Sequence, residues 1–142
     1  MADITITEAQ VVQTTDRSKL RTYVAGAEIS PGEAVYLKSS DHKVWPAIDT
    51  SAAAAAAIGI AVSAAEVAEN SIVVQEGGTI TLGAGASVTA GMILVVGAAA
   101  GGMSAIADLA TGEYVTIMGV CNGSNQLVMP AKGPFASGVS HA

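Results

Sequence analysis

The chain has 142 residues and a mass of 14.0 kDa, with 12 acidic and 6 basic residues and a net charge of −6. That is room for one domain of ordinary size. A composition 51% apolar and only 13% charged excludes a disordered coil. No Gly repeat or heptad supports collagen or a coiled coil, and the acidic balance argues against a nucleic-acid partner.

Residues 1–22 read as an extended arm. Ile4 and Ile6 alternate with Asp3, Thr5 and Thr7, and Val11-Val12 and Thr14-Thr15 continue without a helical pattern. Arg17, Lys19 and Arg21 follow at spacing two, which puts three cations on one face of an extended chain. Two readings stay open: a charged edge strand that discourages stray pairing, or a basic stripe that docks on an acidic partner. The start of the chain has neither a basic region nor an apolar segment, so no secretory signal is predicted. The lone Cys121 fits a reducing cytoplasm.

Strand-like runs then alternate with turn chemistry. Leu20–Ala25 leads to the turn Ser30-Pro31-Gly32, and Ala34–Lys38 to the polar turn Ser39-Ser40-Asp41-His42, before Val44-Trp45-Pro46. Ala52–Ala57 suits a helical turn but is too short for a stable helix without packing. Ile58–Ser63, Ser71–Gln75, Thr79–Leu82, Met92–Val96, Tyr114–Cys121 and Gln126–Met129 complete the set, and Asn122-Gly123 is a hairpin signal. No charge occurs between Glu76 and Asp108, but the eight glycines there cut the apolar runs short, which argues against a membrane span.

The chain also echoes itself. Ala27–Leu37 lines up with Ala86–Val96 at an offset of 59, and Ile58-Gly59-Ile60-Ala61 with Met118-Gly119-Val120-Cys121 at an offset of 60. Two related halves are predicted, each a turn, a strand, an Ala/Gly-rich excursion and a hairpin.

Chemistry is sparse. His42 and His141 lack ligand partners at metal-site spacing, so no metal site is expected. Ser40-Asp41-His42 has the letters of a hydrolytic triad, but consecutive residues point apart and a polar turn explains them. Cys121 in an apolar strand reads as a small buried hydrophobe. Gly83-Ala84-Gly85 has no following Gly-Lys-Ser/Thr, and no Lys or Arg occurs from Val44 to Ala131, so phosphate chemistry lacks its cation. Trp45 beside Pro46 reads as a plug at the end of a barrel, or alternatively as an interface anchor. So few charges over residues 50–107 imply apolar surface that another subunit covers.

The run Gly26–Leu37, followed by Ile58-Gly59-Ile60-Ala61, Ser71-Ile72-Val73-Val74, Ala90-Gly91-Met92-Ile93 and Gly119-Val120, resembles the capsid decoration (cement) proteins of tailed bacteriophages. The order and spacing of these short motifs carry the resemblance, which spans roughly residues 20–131. It implies an all-β fold, a small β-sandwich or barrel of β-tulip, β-clip or jelly-roll-like type. Outside the stretch that carries the resemblance, residues 1–22 read as an extended N-terminal arm and 133–142 as a flexible C-terminal tail, with 23–132 the single β domain between them. The function the resemblance implies is structural, with no catalysis and no cofactor. Made in the host cytoplasm, the protein would bind the outer surface of the phage head and clamp neighbouring major capsid subunits. It would do so as a homotrimer at local threefold positions or as a dimer at twofolds, with no nucleic-acid or membrane partner. The arm would supply the capsid contacts, through Ile4, Ile6, Val11, Val12, Arg17, Lys19 and Arg21, by adding a strand to a capsid subunit. Trp45 would stand at an oligomer or capsid interface. The competing expectations are a head fibre or adhesion module that touches host surfaces, and a trimeric β-clip nucleotide hydrolase, against which the Lys/Arg gap speaks.

Overall fold

The computed structural model describes residues 4–6, 8, 11–13, 19–83, 86, 88–123, 125–130 and 133–140. The protein is all-β. Its strands are β1 (Val12–Gln13), β2 (Lys19–Val24), β3 (Ala34–Lys38), β4 (Lys43–Pro46), β5 (Ala57–Ala61), β6 (Ser71–Thr81), β7 (Ile93–Val96), β8 (Met103–Ala105), β9 (Tyr114–Cys121), β10 (Gln126–Met129) and β11 (Phe135–Ser140). They form one curled antiparallel sheet, a half-barrel, in the order β4-β3-β5-β6-β10-β9-β7-β8, with β1 and β2 added to β6 and β11 added to β9. The alanine run makes the single turn α1 (Ala52–Ala55), capped by the Ser51 hydroxyl, which accepts from the Ala54 N–H at 3.2 Å. Among the described residues no helix is long and apolar enough to cross a membrane.

The internal echo is a structural duplication, and the strand order reads the same from either end. In the first half Ala34 stands opposite Ile60, and Val35 opposite Gly59, before the register slips at Tyr36–Ala57. In the second half Ile93 stands opposite Val120, and Leu94 opposite Gly119, before the same slip at Val95–Ile117. Each is a β-bulge, two residues facing one. The turns repeat too. Gly32 and Gly91 adopt φ of +92° and +85°, conformations that glycine reaches without a steric penalty. The Gly32 N–H donates to the Ala61 carbonyl at 2.8 Å, and the Gly91 N–H donates to the Cys121 carbonyl at 2.9 Å.

The bulges decide where side chains point. In β5, Ala57 and Ile60 enter the main core, while Ile58 and Ala61 face a smaller core made with Ala25, Ile29, Val35, Val44, Ile72 and Val74. In β9 the counterparts of Ile58 and Ala61, Met118 and Cys121, enter the main core instead. One core is therefore shared: the outer face of the first half packs on the inner face of the second.

Three local expectations change. Ser71–Gln75 and Thr79–Leu82 form one strand, β6, because Gly77-Gly78 passes through the sheet rather than turning out of it, with Gly78 at φ +89°. There β6 changes partners, from β2 and β5 to β10 and β1. The Asn122-Gly123 signal does mark the connection from β9 to β10, but positive φ falls at Gly123 and Asn125 rather than at Asn122. β2 crosses the boundary expected at residue 22, and β11 lies within the stretch expected as a flexible tail. Backbone pairing places both: β2 lies along β6 and β11 along β9, where the Gly138 N–H donates to the Thr116 hydroxyl at 3.0 Å.

Candidate functional site

Two surfaces stand out, and the first is β2. Along Lys19–Val24 its only strand partner among the described residues is β6, whereas the next residue, Ala25, forms a parallel bridge to Val44 of β4, so the open edge lies toward the Lys19 end. Leu20, Thr22 and Val24 are exposed. Opposite in sense, Lys19, Arg21 and Tyr23 converge on Glu76, whose side chain is only 10% exposed. The Tyr23 hydroxyl donates to Glu76 Oε2, and Lys19 Nζ and Arg21 Nε each lie 4.0 Å from Oε1. Burial, then the bond to Glu76, pushes the Tyr23 phenol above its ordinary range. Two exposed cations around one buried carboxylate leave an excess of positive charge on an acidic protein. A cleft of about 360 Å³ opens beside them, walled by Arg21, Tyr23, Leu37, Ile58 and Pro134 with Glu76. Chemically, this arrangement can hold an extended, acidic segment: main-chain groups at the edge, cations beside it.

The arm residues separate into two sets. Ile4 and Ile6 are half-buried against the main core, and Val11 is part of it. The Ile4 N–H donates to the Met103 carbonyl at 2.8 Å, and Ile6 lies over Gly32, where an added Cβ would meet its Cγ2 at 2.3 Å. Alternating β-branched side chains, expected to serve a partner, here cover the chain's own core. Val12 pairs through β1 with Thr81 of β6. Lys19 and Arg21 remain on the surface, and Arg17 lies outside the described residues.

Trp45 is held within its own half. Its ring lies against Gly26, its Nε1–H donates to Asp41 Oδ2 at 3.1 Å, and Lys38 Nζ sits 4.6 Å from the ring centroid. The Lys43 N–H, first, and Trp45 both bond the Asp41 carboxylate and hold its pKa below the usual value. Ser39–His42 form the turn between β3 and β4. Cys121 is buried, and desolvation pushes its thiol up to about 11, so it stays protonated at neutral pH. Among the described residues no group of three or more His, Cys, Asp or Glu side chains could hold a metal ion.

The second surface is the outer face of β9, β10 and β11. Val120 faces Val128, Ile117 faces Phe135 and Val115 faces Val139. Of these, Val120, Val128, Phe135 and Val139 are exposed. Sequence reasoning passed over both Glu76 and this face. The available signals were a lone carboxylate inside an apolar strand run, and the absence of charge from Tyr114 to Ala131.

No protein-family model, curated protein or solved structure matches this chain.

Proposed function

We propose that this protein is a structural, non-enzymatic component of a tailed-phage virion. It binds the outer surface of the head as a homo-oligomer, with a trimer favoured, and cements contacts between major capsid subunits. The observation that carries the reading is β2, whose edge toward Lys19 has no second strand partner among the described residues, with Lys19 and Arg21 exposed on a chain of net charge −6. Strand addition gives affinity through main-chain hydrogen bonds and asks little of the partner's sequence. The two cations select an acidic segment, and an oligomer multiplies modest contacts into firm attachment. The resemblance of the Gly26–Leu37, Ile58–Ala61 and Ala90–Ile93 motifs to decoration proteins supports the same reading. In this scheme the docking element is β2, while Ile4, Ile6 and Val11 stay on their own core.

The test is binding to undecorated heads built from the cognate major capsid protein. Wild-type protein saturates them at a fixed ratio and raises their melting temperature. K19E/R21E, altered only at exposed positions, binds more weakly, with the largest deficit at low salt. Saturation at no fixed ratio, or heads that melt unchanged, would reject the cementing role.

A further inference from the structure

The duplication provides an internal reference for what each position needs. In the first half the row Ala34–Ile60–Gln75 crosses β3, β5 and β6, and all three residues are completely buried, Ala34 and Ile60 in the core shared with the second half. The same row in the second half is Ile93–Val120–Val128 across β7, β9 and β10. There Val120 is 43% and Val128 41% exposed. Phe135 and Val139 extend this face along β11 at 49% and 56% exposed. An uncharged cleft of about 410 Å³ borders it beside Ile93, between Thr89–Met92 and Ala105–Ala107. The scaffold thus has one packing face that is covered and an equivalent one, still apolar, that is not.

We infer that a second copy of this chain covers the face of β9, β10 and β11. Charge identifies the occupant. Each copy carries a net charge of −6, so two copies repel except where charged side chains are missing. No charged residue lies from Tyr114 to Ala131 or from Gly133 to Ala142, which makes β9, β10 and β11 wholly uncharged. The other open surface fails as a self-contact, because pairing β2 with β2 of another copy sets Lys19 and Arg21 against their own kind. Phe135 supplies an aromatic anchor of the kind that dominates such contacts. The inference rests on the homo-oligomeric part of the function proposed above and not on capsid binding, so the two fail separately.

Sedimentation of the purified chain with V120D/V128D decides it, with V67D, altered in an exposed connection, as the control. At about 100 µM the wild type and V67D sediment as an integral multiple of 14.0 kDa, and V120D/V128D self-associates roughly a hundred-fold more weakly while keeping its strand spectrum. A wild-type monomer overturns the inference, as does a double variant that assembles like the wild type. Loss of head binding by the double variant of a monomeric wild type would assign the face to the capsid, and also overturns it. Should the double variant fail to fold, a water-soluble paramagnetic agent read on the wild-type valine methyls gives the answer. Val120 and Val128 stay sharp while Val67 broadens if a second copy covers them, and equal broadening overturns the inference.

Discussion

Gly59 and Gly119 occupy equivalent bulges, and in each case a Cβ would lie 2.3 Å from a carbonyl oxygen of the adjacent strand, that of Gln75 or Val128. Backbone cannot swing aside as a side chain can. Gly59→Ala and Gly119→Ala should therefore each cost about 2–3 kcal/mol, more than Gly112→Ala, where only the φ of +91° resists. Urea unfolding midpoints check this, and equal losses at all three sites would remove the close-approach argument. Glu33 makes a pH-dependent case at the same scale. Burial, aided by Glu8 and Glu28 and opposed by its bond from the Ser30 N–H, raises its carboxyl above the ordinary 4.5. The folded state then binds protons more readily than the unfolded state, so this group's contribution to stability falls as pH rises from about 4.5 through the raised value. Glu33→Gln should flatten that part of the stability profile, measured by urea melts across the acidic range.

At the level of elements, β2 pairs by backbone along Ser71–Gly77 of β6, and its Lys19, Arg21 and Tyr23 side chains meet there on Glu76. The Tyr23 hydroxyl is the short-range donor to the nearly buried Glu76 carboxylate, while Lys19 and Arg21 sit at 4.0 Å. Tyr23→Phe strands an acceptor in a poorly solvated place, so a loss of about 1–3 kcal/mol is expected in denaturant melts. A substitution without measurable effect would mean that water already serves Glu76. Most strands were legible from period and turn chemistry: Ala34–Lys38 and Tyr114–Cys121 are β3 and β9 to the residue. The failures have a common cause. Gly77-Gly78 has the composition of a turn, but only the neighbours β10 and β2 show that the chain continues through it. Phe135–Ser140 contains Ser and Gly and lacks strong alternation, so its pairing with β9 depended on a tertiary partner that no local pattern announces.

For the whole molecule, the shared core sets the behaviour. Ala34 and Ile60 of the first half pack with Leu94, Met118 and Leu127 of the second, so the main core is complete only when both halves are present. A chain of residues 19–83 should lack a cooperative melt, and the full protein should show one calorimetric transition. Two resolved transitions would contradict the shared core. The duplication itself was visible in the sequence because turn glycines and bulge glycines must recur wherever the same geometry recurs. The candidate surfaces were only half visible. Lys19 and Arg21 announce themselves by spacing, whereas the destination of Ile4 and Ile6 and the exposure of Val120 and Val128 depend on which face of each half the other one covers.

β6 belongs to both halves, and that has a mechanical consequence. Tension that draws the halves apart is carried along the continuous polypeptide of β6 and across its backbone pairing with β10. The load would reach β4 and β8, the outermost strands of the ordered path, only after passing through β3 and β7. Under stress such a body frays at its margins while its spine holds.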